Sequence, residues 1–171
     1  MPNIASIIHI ICPAGTYHYN GVFCQDTLPG SYTPNPGLWY DFDCSPGTWQ
    51  NQTGQSSCID ASPGYYVPAS ASSNQSPCNL GSWQNQTGQT SCLDADIGHY
   101  VPSNGSSYQT ACSPGTWQDQ IGQSSCIASS PGFYVSNSGS VSQDFCSPGT
   151  WQNQTGQSSC MNASSGYYVE I

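Results

Sequence analysis

The chain has 171 residues, with no Lys or Arg, nine acidic side chains and a net charge of -9. That balance argues against nucleic acid and anionic lipid as partners, since both need cationic side chains to neutralise phosphates. Charged residues make up 5% of the chain, far fewer than an ordinary soluble surface carries, so another polar group must hydrate it.

In chain order, Met1 to Ile11 comes first and is the only strongly apolar run. It is too short to span a bilayer and lacks the basic start of a signal peptide, so no membrane insertion is expected. Its isoleucines predict a β-strand over residues 4–11. Ile4, Ile7, Ile8, Ile10 and Ile11 are candidate assembly residues, because an unpaired strand edge can add to a neighbouring subunit. An ordinary capping strand on the same chain is the alternative.

From Cys12 onward the chain is periodic. The stretch Cys44-Ser-Pro-Gly-Thr-Trp-Gln-Asn-Gln-Thr-Gly-Gln-Ser-Ser-Cys58 returns unchanged at Cys146–Cys160, and altered copies start at Cys78 and Cys112. The starts are 34 residues apart, and a fixed period of this size means a repeat architecture. The boundaries read as an N-terminal strand at 1–11, a divergent first repeat at 12–43, repeats at 44–77, 78–111 and 112–145, and a truncated last repeat at 146–171. The chain stops midway through a unit, as a piece of a longer array would.

Each unit divides into two halves, for Cys44-Ser-Pro-Gly-Thr-Trp49 is echoed 17 residues later by Ala61-Ser-Pro-Gly-Tyr-Tyr66. Every half has glycine at its fourth position and an aromatic at its sixth, and most have a second glycine at the eleventh. The pattern predicts a short β-hairpin per half. A Pro-Gly turn leads into an aromatic strand, a Gly turn reverses it, and a polar segment such as Gln55–Cys58 returns. Pro and Gly density and the missing 3.6-residue period argue against helix. The expected fold is therefore small, disulfide-rich and all-β: tandem short hairpins forming an elongated rod, with the aromatics stacking between halves as a thin core.

The 10 cysteines are regularly spaced, which in a loop-rich chain reads as a disulfide framework from an oxidising compartment. Metal ligation is the rival, weakened because no C-x-x-C pair occurs and His9, His18 and His99 fall outside ligand spacing. Odd halves hold Cys at positions one and fifteen. Even halves hold neither there, having Ala61 with Gln75, Ala95 with Gln109 and Ser129 with Gln143. Sulfurs that come and go together point to Cys44–Cys58, Cys78–Cys92, Cys112–Cys126 and Cys146–Cys160, with Cys12–Cys24 as a shortened version. A second framework pairs across the longer interval, Cys58–Cys78 and so on, and would strand Cys12 and Cys160. Closing loops of this size is worth about 3 kcal/mol each, and units this short bury too little apolar surface to fold alone.

The motif Cys-x-x-Gly-Thr-[Trp/Tyr] with a second Cys about a dozen residues on, as in Cys12-Pro-Ala-Gly-Thr-Tyr17 and Cys44-Ser-Pro-Gly-Thr-Trp49, resembles the cysteine-rich repeats of the ephrin-receptor-like and tumour-necrosis-factor-receptor-like group. The resemblance covers nearly the whole chain from Cys12. It implies an extracellular, disulfide-stapled, elongated ectodomain with local pairing of the first two cysteines. Those repeats usually carry further cysteines per module, and the even halves here have none, so no ligand-binding residues carry over.

The clearest chemical motif is the N-x-[ST] glycosylation acceptor, found at Asn51, Asn74, Asn85, Asn104, Asn153 and Asn162. Asn51, Asn85 and Asn153 stand apart, since each is followed by Gln-Thr and preceded two residues earlier by Trp. An aromatic at that spacing can lie under the first sugar ring. The third copy reads Asp119-Gln-Ile121 and has lost the acceptor. Covalent N-linked glycan would answer the hydration problem. The repeated Trp also suits a carbohydrate platform, against the alternative that Trp49, Trp83, Trp117 and Trp151 are hairpin core. Asp60, Asp94 and Asp96 invite a weak Ca²⁺ site, but the acidic position is not kept after other second cysteines. No catalytic signature is present, so no enzyme activity, bound cofactor or metal is expected. The chain reads as a secreted or cell-surface structural protein of a glycosylated fibre, stalk or coat that self-associates. The alternative is a receptor-like or adhesive ectodomain with a protein or glycan ligand. Ice or mineral binding lacks a Thr-x-Thr ladder.

Overall fold

The computed structural model describes residues 10–164. Among these the regular elements are short β-strands paired into antiparallel two-stranded hairpins, one per half-repeat, with no helix. The longest hairpin joins β1 (Thr16–Tyr19) to β2 (Phe23–Asp26), with Thr16 opposite Asp26. Then β3 (Ser31–Tyr32) pairs with β4 (Phe42–Asp43), β5 (Thr48–Trp49) with β6 (Ile59–Asp60), and β7 (Tyr65–Tyr66) with β8 (Ser76–Pro77). The pattern continues with β9 (Ser82–Trp83) and β10 (Leu93–Asp94), β11 (His99–Tyr100) and β12 (Thr110–Ala111), and β13 (Thr116–Trp117) and β14 (Ile127–Ala128). It closes with β15 (Phe133–Tyr134) and β16 (Asp144–Phe145), and β17 (Thr150–Trp151) and β18 (Met161–Asn162).

Each hairpin starts just after a positive-φ glycine, which follows proline in most halves and Ala14, Leu80 or Ile97 in the others. The Thr48 amide donates to the Ser45 carbonyl at 2.9 Å across Pro46-Gly47, and Gly47 has φ +87°. Pro before a positive-φ glycine is the requirement of a type II turn. The return strand lies one step later than the spacing suggested. Trp49 faces Ile59 and Thr48 faces Asp60, so pairing begins just after Cys58, while residues 55–58 lie in the loop. Gln50 donates from Nε2 to the Ser57 carbonyl at 3.0 Å and accepts from the Gln52 amide at 3.1 Å, which holds 51–57 as a compact loop. The even halves, with valine in place of that glutamine, return at the same step, as Tyr65–Tyr66 with Ser76–Pro77, so the offset belongs to the loop length of the half and not to the clamp.

The chain divides into two compact units. One holds residues up to Ser62 with Tyr66–Ser76 and Thr87–Thr90; the other holds Pro63–Tyr65, Pro77–Gln86 and the chain from Ser91 on. In the first, Gly47 N–H donates to the Val67 carbonyl (2.8 Å), Gln50 N–H to Ser72 (3.1 Å) and Ala61 N–H to Gly47 (2.8 Å). The second repeats the scheme, with Gly81 to Val101 (2.9 Å), Gln84 to Ser106 (3.2 Å) and Ala95 to Gly81 (2.8 Å). Strands of two residues could not hold together alone; these backbone bonds tie each half to the next and satisfy groups that would otherwise be orphaned.

The core differs from the expected aromatic stack. Position one is fully buried at Cys12, Thr27, Cys44, Ala61, Cys78, Ala95, Cys112 and Ser129. Position seven is buried too, alternating Gln50, Gln84, Gln118 and Gln152 with Val67, Val101 and Val135. The tryptophans at position six are half-buried or exposed. The ring pairs among the described residues are His18–Trp39, Tyr32–Phe42, Tyr40–Phe42 and Phe133–Phe145, none of which joins a repeat Trp to the Tyr of the next half. Columns this narrow admit small or unbranched side chains, and the indoles are left to their flanks.

Thr33 occupies the valine column of the divergent first repeat. It is fully buried and its hydroxyl has no hydrogen-bond partner, an arrangement that costs about 1–3 kcal/mol. Thr33→Val is therefore expected to stabilise the protein by about 1 kcal/mol or more, seen as a raised melting midpoint by circular dichroism. An unchanged or lower midpoint would refute the assignment.

Of the apolar N-terminal strand, residues 4–9 lie outside the described residues. Ile10 and Ile11 are exposed and carry no strand pairing.

Candidate functional site

The surface that repeats most faithfully is the loop after each Trp. Gln50 points inward at 3% exposure, so its neighbours Trp49 and Asn51 take the outward side, as alternation along an extended chain requires. Asn51 is exposed, and so are Asn85 and Asn153 beside buried Gln84 and Gln152. The same glutamine clamp recurs, with Gln84 Nε2 on the Ser91 carbonyl (3.2 Å), Gln118 on Ser125 (3.0 Å) and Gln152 on Ser159 (3.1 Å). Each acceptor Asn thus starts a loop whose backbone is fixed from inside.

Across each hairpin the Trp meets an aliphatic residue. Trp49 is opposite Ile59, Trp83 opposite Leu93, Trp117 opposite Ile127 and Trp151 opposite Met161. These partners are 46%, 49%, 44% and 42% exposed, an apolar couple repeated beside every such loop. The indole N–H groups of Trp49, Trp83 and Trp117 are buried without a hydrogen-bond partner. A phenyl ring would bury no unpaired N–H there but would leave part of the indole's space empty.

The disulfides join Cys12 to Cys24, Cys44 to Cys58, Cys78 to Cys92, Cys112 to Cys126 and Cys146 to Cys160. No cysteine is free. The even halves carry a substitute that sequence reasoning missed. Gln75 Oε1 accepts from the Ser62 amide, Gln109 from Asp96 and Gln143 from Ser130, each at 2.7 Å. The residue at position fifteen reaches back to position two, closing by hydrogen bond the loop that sulfur closes in the odd halves. The signal was in the strict Cys/Gln alternation, which registers as a loss of sulfur until the amide's reach is known. In the first even half, Asp41 Oδ2 plays a related part by accepting from Ser31 Oγ at 2.7 Å.

The other candidates are dispersed. Asn74, Asn104 and Asn162 are exposed, the first two in loops and Asn162 on β18. Asp96 is engaged by Gln109 Nε2. The Asp60 side chain lies beside Gly88 and that of Asp94 beside Gly122. Among the described residues no group of three His, Cys, Asp or Glu could hold a metal ion, so the structure does not gather the three aspartates into a Ca²⁺ site. His18 contacts Cys12 Sγ at 3.3 Å and His99 the Ile97 carbonyl at 3.1 Å; neither faces a carboxylate.

The family model described as "Tyrosine-protein kinase ephrin type A/B receptor-like" matches residues 98–146, which span the β11–β12 hairpin, the Cys112–Cys126 half and the β15–β16 hairpin. Over that stretch the chain is similar to ephrin-receptor-like cysteine-rich repeats, and the resemblance carried by its Cys-x-x-Gly-Thr motif is shown there. No curated protein matches the chain. No helix among the described residues is long and apolar enough to cross a membrane. The disulfides and an extracellular-type repeat point to a secreted or extracellular setting.

Proposed function

We propose that this is an extracellular structural repeat protein that forms or extends a glycosylated fibre, stalk or surface coat. The observation that carries the reading is the recurrence, copy after copy, of an exposed acceptor Asn at the head of a Gln-clamped loop, at Asn51, Asn85 and Asn153. A chain with 5% charged residues and large exposed apolar side chains needs a hydrating coat, and sugar hydroxyls provide one without charge. The backbone scheme that ties one half to the next supports self-association, since a repeated unit offers the same bonds at each step. This reading calls on no catalytic residue, metal or cofactor, the covalent sugar apart. Peptide mapping of native material, with and without enzymatic deglycosylation, tests it. Glycan is expected at Asn51, Asn85 and Asn153; bare asparagines at all three would overturn the glycosylated reading. Long regular fibres in negative-stain images support assembly, and isolated particles at high concentration would refute it.

The match over residues 98–146 favours a second reading, a receptor-like or adhesive ectodomain that binds a protein or glycan. The two readings separate on whether the isolated protein assembles by itself.

A further inference from the structure

The third copy departs from its sisters where glycan would attach. Asp119 stands in place of the acceptor Asn, and Ile121 in place of Thr. Everything else about the loop is kept. Gln118 is buried and holds the Ser125 carbonyl and the Gln120 amide, and Trp117 faces Ile127 across β13 and β14. Ile121 is 61% exposed and Asp119 lies open to solvent. The third copy therefore has the Trp–aliphatic couple of the others, with a carboxylate where they have an attachment point.

We propose that Trp117, Asp119 and Ile127 form a seat for a neutral sugar ring, of the hexose or N-acetylhexosamine class. Three observations choose this occupant. In the sister copies the same couple lies beside an acceptor asparagine, so it is matched to a sugar held in cis; the third copy keeps the couple and lacks the tether. An indole beside an aliphatic group suits the C–H face of a pyranose, and the Asp119 carboxylate, two residues on and also directed outward, has acceptor capacity for a pair of sugar hydroxyls. With no Lys or Arg in the chain and a net charge of -9, anionic sugars are repelled and neutral ones are left. The proposal rests on the glycosylated reading for why Trp49, Trp83 and Trp151 are covered, and it makes the third repeat the open, recognising member of the array.

The test is an NMR titration of the native, glycosylated, indole-¹⁵N-labelled protein with tri-N-acetylchitotriose. One indole resonance, Trp117, is expected to shift and saturate, with a dissociation constant on the order of millimolar, as suits a single shallow seat. Asp119→Ala, at an exposed position where folding is undisturbed, should weaken binding by about tenfold, roughly the loss of one charged hydrogen bond. Trp117→Phe should also weaken it, and Trp49→Phe should leave it unchanged. No saturable shift, equal shifts at every repeat Trp, or binding indifferent to Asp119→Ala would each overturn the seat. Peptide mapping reads out glycan on Asn51, Asn85 and Asn153 independently, so failure of the seat and failure of the glycosylated reading are distinguishable.

Discussion

Gly81→Ala is expected to destabilise the protein by about 4–5 kcal/mol, at the far end of what single substitutions do. A Cβ at Gly81 would press into the Gly122 carbonyl, with the carbonyl carbon at 2.7 Å. Both groups are backbone, so neither can swing aside. The same approach recurs from Gly47 to Gly88 and from Gly64 to Gly105: the turn glycine of one half packs against the second glycine of the next half but one. Gly139→Ala is the control. Gly139 also has a positive φ, +73° against +79°, but its would-be Cβ meets only the Ala111 Cβ at 3.9 Å, an ordinary contact. It should lose only the left-handed backbone penalty of about 1–2 kcal/mol. Urea unfolding of the two variants measures both. If they lose equally, turn conformation and not close approach explains the invariance of the fourth position.

The second large effect separates sulfur from its substitute. Replacing Cys78 and Cys92 together by Ala opens a disulfide of sequence separation 14 and should cost about 3 kcal/mol. Gln109→Ala removes the corresponding links in the following half, from Asp96 N–H to Gln109 Oε1 and from Gln109 Nε2 to the Asp96 carboxylate, and should cost about 2 kcal/mol, the net worth of two hydrogen bonds. Urea midpoints of both, under oxidising conditions, give the ratio. A Gln109→Ala loss near zero would mean that the even halves stand on their backbone ladder alone.

The repeat, the hairpin per half and the place of every turn were legible because each is local: Pro46-Gly47 writes its own turn. The reason for glycine at position four was not, since the carbonyl that forbids a Cβ at Gly81 belongs to Gly122, far along the chain. The core was misread for a related reason. Apolar bulk drew attention to Trp49 and Tyr66, whereas the buried columns run through Cys44, Ala61, Gln50 and Val67. Buried glutamine runs against the usual partition, and it is tolerated because Gln50 spends both ends of its amide on the loop it closes. The return strand lies at Ile59–Asp60 and not at 55–58, and at the same step in the valine-bearing even halves, as at Ser76–Pro77. For the site, the acceptor asparagines and their Trp neighbours were plain in the sequence; the aliphatic partner across the hairpin needed the register.

The alternation of sulfur and glutamine also bears on how such an array can change length. Gain or loss of a whole two-half unit brings Cys beside Gln and valine beside glutamine as before, so every seam finds its accustomed neighbour. Gain or loss of a single half sets two like halves side by side, with two glutamines or two valines meeting in adjoining rows of the interior. Copy number can therefore drift freely in even steps, by the unequal pairing of near-identical tracts, while odd steps meet a packing fault. The near-identity of the units is the material for such drift, and the two-beat interior is its ratchet.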